Sequence, residues 1–357
     1  MIARLKQLIR EAILHRRDRN MAKIQHNECC SIIKSMDNSV NLPREYEKSI
    51  QNYYSKLISK KIDSTWHKLY YNANGLENER FIPIDILFTR IIPFFNDINF
   101  SEAYSDKSQY ERLFPDISHP KTYIKRVNGS FYVADKIVSL KKAVESFPRN
   151  KSVIIKPTIY TSQGEGVKLF NADGFSNENI EDIFDYYGNN FIVQELVKSH
   201  NIISQLNQSS LNTLRIITFR KDTDVYVLSV TLKIGKSGEN VDNGHHGGFF
   251  CGVDKTGRLK KYVYTLNPFT KSEYTENGIA IHNLKLPVFN KVLDCVRECA
   301  KRLPYSRYAG WDIAIDQNCN PILIEVNLKC PGGNIMQIPN GPLFGDETDA
   351  MLKEVFK

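Results

Sequence analysis

What this sequence lacks narrows its class first. No apolar run approaches the roughly 18–20 residues needed to cross a bilayer. The early apolar residues are interrupted by Lys6, Arg10 and Glu11, so no cleavable leader is expected. There is no CxxC pair. The seven cysteines (Cys29, Cys30, Cys251, Cys295, Cys299, Cys319 and Cys330) are odd in number and sit partly in core-like patterns. That argues against a disulfide framework or a zinc site and reads as reduced cytoplasmic thiols. Internal repeats and low-complexity segments are missing too. Lys and Arg number 48 against 40 Asp and Glu, a net charge of +8. The excess is not gathered into a stripe, so no nucleic-acid partner is expected, whereas anionic small ligands such as nucleotide phosphates fit. With 41% hydrophobic and 25% charged residues, disorder is not the default. A length of 357 residues allows two or three domains and a sizeable core.

The most informative stretch is Tyr308 to Asn334. Gly310–Ile315 and Pro321–Val326 read as strands, separated by the polar turn Asp316-Gln317-Asn318-Cys319-Asn320, which is hairpin chemistry. Glu325 and Asn327 flank Val326 and so share a face. A hairpin can bring Asp312 opposite them. Two carboxylates and an amide oxygen on one face are hard ligands, suited to Mg²⁺ with room left for water and phosphate. The bland alternative is an ordinary hairpin with a polar outer face.

Upstream, residues 1–70 read mostly as helix. Ile2, Leu5, Ile9 and Ile13 recur at helical spacing among Arg4, Lys6, Arg10, Arg16 and Arg17. Such a basic amphipathic helix can lie on an anionic membrane, giving residues 1–20 a peripheral membrane contact. The favoured reading is a helix packed on the body or on a second subunit. Tyr46–Lys61 reads as a second helix. Trp66, His67, Tyr70 and Tyr71 form an aromatic cluster, which suits a core better than a substrate pocket. Val153–Pro157 is a buried strand carrying Lys156. The loop Thr161–Gly166 and the return strand Val167–Phe170 follow. Backbone N–H groups in such a loop can cradle phosphate, with the lysine supplying charge. It is not a Walker A loop, since no GKS or GKT follows. Phe191–Val197, Asn212–Phe219 and Val225–Ile234 read as strands, with Arg215 alternating out of the apolar face and Lys233 near the end of the third. His245-His246 in a glycine turn has no evident third ligand and is not read as a metal site. Val288, Val292, Val296, Cys299 and Leu303 mark a helix packing on the sheet, with the Cys295/Cys299 pair in the core.

Taken in order, Asp106-Lys107, Ile155-Lys156-Pro157 with its glycine loop, Gln194–Val197, Arg215, and then Asp312, Glu325 and Asn327 resemble the ATP-grasp superfamily over about residues 105–335. The strings SSLNTLRIITF, VDNGHHGG and GWDIAID…PILIEVN are similar to the narrower sugar-transfer-associated ATP-grasp family, with WHKLYY and FIPIDIL extending the likeness upstream. The resemblance implies an α+β ATP-grasp fold: a helical region over 1–104, a first lobe over 105–197 and a second over 198–357, clasping ATP. It implies that Lys107 and Lys156 hold the α- and β-phosphates and that Ser162, Gly164 and Gly166 belong to the closing loop. Glu195 and Val197 are implied to read the adenine edge. Arg215 is implied to stabilise the transferred phosphoryl group, with Lys233 as a second cation. Asp312, Glu325 and Asn327 are implied to ligate two Mg²⁺ ions. Glu165 departs from the pattern, because an acid beside triphosphate is unfavourable unless it points outward or meets an amine. The implied activity is ADP-forming ligation of an amine to a carboxylate, in capsular or other envelope polysaccharide synthesis, with a uronic acid as acceptor. The expected location is cytoplasmic, at the inner face of the membrane if residues 1–20 dock there. A sugar or small-molecule kinase of the same fold is the alternative from another reaction class, and a nucleotide-binding scaffold is the non-enzymatic one.

Overall fold

The computed structural model describes residues 2–161, 164–171, 175–236, 248–266 and 268–357, with the backbone alone for 2–15 and 283. Its strands fall into two antiparallel sheets. The smaller runs β1 (Thr122–Val127), β2 (Ser130–Val133), β3 (Lys136–Val138), β4 (Val153–Pro157), β5 (Lys168–Phe170) and β6 (Phe191–Glu195), in the order β3-β2-β1-β6-β4-β5. The β1–β2 turn is tight because Asn128 and Gly129 both take positive φ, 47° and 85°, as a two-residue hairpin requires. One face buries Ile124, Phe131, Ile155, Phe191 and Val193 against Phe184 and other outer-helix residues. The opposite face is turned towards the second sheet.

That second sheet comprises β7 (Thr213–Lys221), β8 (Asp224–Ile234), β9 (Phe249–Val253), β10 (Leu259–Thr265), β11 (Lys271–Ser272), β12 (Tyr308–Ile315) and β13 (Pro321–Asn327), in the order β11-β10-β9-β8-β7-β12-β13. β12 is buried along its whole length and β7 along most of it, so both faces are covered. On one face Leu214, Ile216, Trp311 and Ile313 pack against the helix Phe289–Lys301 through Val292, Val296 and Cys299. Cys299 is buried there, but Cys295, one turn earlier, is only half-buried, because it lies at the rim of the apolar stripe. On the other face Ile217, Phe219 and Tyr308 share one core with the N-terminal helices α1 (Ile2–Ser35), α2 (Arg44–Ile58) and α3 (Thr65–Asn74), the segment Ile84–Phe95, and Met351 and Leu352 near the end of the chain. Trp66, His67 and Tyr70 are buried in that core, and the aromatic cluster is therefore packing. No helix among the described residues is long and apolar enough to cross a membrane.

The two sheets are joined at the β12–β13 edge. His200 donates its N–H to the Ile315 carbonyl at 2.8 Å, Gln317 to Lys198 at 3.2 Å, and Leu323 to Ser118 at 2.9 Å. These bonds bring the inner face of the small sheet over the end of the β12–β13 hairpin.

Candidate active site

One rung of the large sheet carries the charge. Glu325, Asp312, Arg215 and Thr231 lie directly opposite one another on β13, β12, β7 and β8. Side chains on one rung point the same way, and neighbouring strands stand about 4.8 Å apart, so each charge can meet the next. Arg215 donates from Nε to Asp312 Oδ1 at 2.6 Å and from Nη2 to Oδ2 at 2.9 Å, a bidentate fork. Lys233 Nζ donates to the same Oδ2 at 3.3 Å, and the Asn327 amide at 3.4 Å. Burial raises the Asp312 carboxyl, but Arg215 and then Lys233 outweigh it and hold it at about 2. Asp312 is therefore ionised throughout the physiological range.

The third nitrogen of Arg215, Nη1, donates to the Pro331 carbonyl at 2.7 Å. That approach needs glycine at 310, where a Cβ would stand 2.5 Å from the Pro331 oxygen. Gly332 takes φ +127°, and a Cβ on Gly333 would run into Ile84. The turn Pro331–Gly333 is thus wedged between β12 and the N-terminal core. Beyond it, Asn334 accepts the Tyr70 hydroxyl at 3.0 Å. Gln337, fully buried, donates to the Tyr70 oxygen and the Ile82 carbonyl, each at 2.8 Å.

The small sheet presents a second rung, Lys125–Ile192–Lys156. Lys125 is neutralised by Glu111 at 2.7 Å and Asp135 at 3.0 Å. Lys156 is 7% exposed, and its ammonium has neither hydrogen bond nor ion pair among the described residues. Burial, and then repulsion from Lys107, push its pKa down to about 8, with Glu325 opposing. Lys107 begins a short 3-10 turn, held by its N–H to the Thr158 carbonyl at 3.1 Å. Its Nζ crosses to Glu325 Oε1 at 2.7 Å. A narrow crevice lies here, lined in part by Lys107, Lys156, Ile192, Gln194, Leu323 and Ile324. Four cations (Lys107, Lys156, Arg215 and Lys233) face two carboxylates (Asp312 and Glu325). The site has positive charge to spare.

Of the residues singled out in the sequence, Lys107, Lys156, Arg215, Lys233, Asp312, Glu325 and Asn327 come together here. Glu195 and Val197 lie where β6 leaves for the second sheet, and the Glu195 carboxylate accepts the Lys121 N–H at 2.8 Å. Gly164 and Gly166 sit at the tip of the β4–β5 hairpin with φ of 77° and 73°. Glu165 between them is exposed. Ser162 and the His245-His246 turn lie outside the described residues. Sequence reasoning gave no role to Gln194, whose amide oxygen is buried without a hydrogen-bond partner. Alternation with Ile192 was the available signal. It also missed Tyr110, which accepts the Val326 N–H at 3.0 Å and steadies β13 beside Glu325, and the carbonyl of Pro331. Among the described residues no group of three His, Cys, Asp or Glu could hold a metal. Asp312, Glu325 and Asn327 can complete a hard-ion shell only with oxygens from a ligand or water.

The sequence matches the family described as sugar-transfer associated ATP-grasp over residues 87–351. The chain belongs to that family. This ATP-grasp chain gives no significant match among curated proteins. Solved structures similar to it include the VanG D-Ala:D-Ser ligase from Enterococcus faecalis (16% identity over 70% of this chain and 60% of that one, TM-score 0.44). The ATP-grasp ligase PsnB complexed with a minimal precursor, Mg and ADP matches at 13% identity over 74% and 62%, with TM-score 0.43. An L-amino acid ligase from Bacillus licheniformis matches at 13% over 73% and 49%, with TM-score 0.41. The chain spans less than two thirds of the length of each. The matched family segment contains both sheets and the whole charged rung, and it leaves α1, α2 and α3 outside.

Proposed function

We propose that this ATP-grasp chain is an ADP-forming carboxylate–amine ligase acting on an envelope glycan, with a uronic acid as the acceptor class. The observation that carries the reading is Lys156, a buried cation with no hydrogen-bonded or ion-paired anion among the described residues, beside Lys107 in a crevice with excess positive charge. Burying such a charge is costly unless something supplies the counter-charge. The α- and β-phosphates of ATP are suited to it. Glu195 and Val197 would read the adenine edge, and Ser162, Gly164 and Gly166 would belong to the loop over the phosphates. Asp312, Glu325 and Asn327 would hold Mg²⁺, two ions in the fullest form, which would neutralise phosphate charge. The need for ligand oxygens suits a metal that arrives with nucleotide. The lobes are proposed as 105–197 and 198–357, preceded by a helical region over 1–104, and the location as cytoplasmic.

In the first step a carboxylate oxygen attacks the γ-phosphorus, the bond to the bridging oxygen breaks and ADP leaves. Arg215 and Lys233 would stabilise the charge that develops on the transferred group. In the second step the amine attacks the acyl carbon, loses a proton and expels phosphate. The test is product analysis with candidate uronic acids and amines. ADP and phosphate should form only with both substrates present, and hydroxylamine in place of the amine should give a hydroxamate. AMP and pyrophosphate would overturn the mechanism. A stable phosphorylated acceptor, formed without amine, would make the protein a kinase.

A further inference from the structure

Outside the charged rung, α1 carries a second chemical constellation. Cys30 Sγ lies 3.4 Å from His26 Nε2, one helical turn away. His26 Nδ1 lies 3.0 Å from Asp63 Oδ2. Asp63 is itself fixed, since its other oxygen accepts the N–H of Thr65 at 2.8 Å at the start of α3. The carboxylate sets the tautomer: with Nδ1–H donating to Asp63, Nε2 is left as the acceptor for the thiol proton. Nucleophile, base and orienting acid thus stand in hydrogen-bond sequence, the arrangement that activates a thiol. Cys30 is half-buried and His26 is 42% exposed in its side chain, so small reagents can reach both. Asp85, with one buried carboxyl oxygen lacking a partner, is within electrostatic reach of His26 and Asp63. None of these residues falls in the matched family segment, and none touches the charged rung.

We propose that Cys30 is a covalent modification site that undergoes thiol–disulfide exchange with low-molecular-weight disulfides, activated by His26 and Asp63. The Cys30 proton passes to His26 Nε2 and the thiolate attacks one sulfur of the reagent. The reagent's S–S bond breaks, and the departing thiolate takes the proton back. Cys30 is oxidised to a mixed disulfide as one reagent sulfur is reduced to a thiol. The adduct occupies the junction of α1 and α3, where Cys29 and Thr65 also meet at 3.7 Å.

The experiment treats the full chain with oxidised glutathione and follows each cysteine by peptide mass mapping. Cys319 is the comparator, half-buried like Cys30 but with no histidine bonded to it among the described residues. Cys30 should react at least about tenfold faster than Cys319, and His26→Gln should remove that advantage while leaving the Cys319 rate unchanged. Circular dichroism of His26→Gln checks that α1 persists. If α1 is lost in that variant, the wild-type ratio of the two rates decides alone. Cys30 reacting no faster than Cys319, or His26→Gln with an intact α1 leaving the Cys30 rate unchanged, overturns the proposal.

Discussion

Replacing Lys156 by methionine should make the unliganded protein more stable and cost it tight nucleotide binding. Burial and Lys107 lower this lysine from 10.5 to about 8. The folded value lies below the unfolded one, so between these pH values the unfolded chain binds more protons and stability rises with pH. Below pH 8 both states are charged, and the folded protein carries the full penalty. The fall from 10.5 to about 8 corresponds to on the order of 3 kcal/mol at pH 7. Methionine keeps much of the stem's volume and removes the charge. Urea denaturation at pH 7 should therefore show Lys156→Met gaining on the order of 1–3 kcal/mol, with the gain shrinking from pH 8 towards 10.5. Binding has the opposite sign. Phosphates favour the charged lysine, so above about pH 8 the wild type must take up a proton to bind ATP. Its affinity should fall by up to about tenfold per pH unit there, while the variant binds weakly and without this slope. Calorimetric titration with ATP across pH 7–9.5 reads both. A variant that is no more stable than the wild type, and that binds ATP equally well, would refute the assignment of Lys156 to the phosphates.

Three further outcomes are expected. Glu325→Gln should leave the fold intact and reduce turnover at least about a hundredfold, as loss of a charge-stabilising group does; near wild-type turnover at saturating Mg²⁺ would remove Glu325 from the metal set. Arg215→Ala should slow turnover by about a hundredfold, roughly 2.7 kcal/mol, with a much smaller change in ATP affinity. It should also lower stability because Asp312 loses its bidentate partner, and Arg215→Lys, which keeps the charge, separates the two effects in a comparison of rate with denaturation midpoint. Gly310→Ala should displace the Pro331 carbonyl and cost roughly 1–3 kcal/mol by overpacking, together with activity; unchanged stability and rate would mean that the turn yields freely.

The hairpin at the centre of the site was legible because strand alternation and a polar turn mark it out. Asn327 on the face of Glu325 follows from that alternation, but Asp312 opposite Glu325 does not: continuing the Ile315–Pro321 register would set Asp312 against Ile324, and a bulge between Asp312 and Ile313 brings it to Glu325 instead. Arg215 could be placed off the apolar face by its neighbours Leu214 and Ile216. Its fork on Asp312 could not be foreseen, because it depends on β7 and β12 being adjacent although they are far apart in the chain. Lys107 carries no local signal; its position follows from a 3-10 turn pinned to Thr158. Likewise the aromatic residues around Trp66 gave no hint that Tyr70 reaches Asn334 and Gln337. Element ends moved by a few residues where the backbone itself stops a helix. The second helix, expected to reach Lys61, ends at Ile58 because Ser59 turns left-handed with φ 55°.

The core that α1, α2 and α3 share with the large sheet has a consequence for how the protein is made. Residues 29–95 find packing partners among residues 217–352, so an earlier-synthesised segment depends on a later one. At ~5–20 residues per second, a ribosome takes roughly 10–50 s to pass from Phe95 to Leu352. Through that interval the apolar faces of the early helices have no sheet to cover them, while the small sheet, built from residues 122–195, can close on its own. The nascent chain therefore completes residues 122–195 before residues 29–95. Its most aggregation-prone moment comes before β12 and the last helix appear.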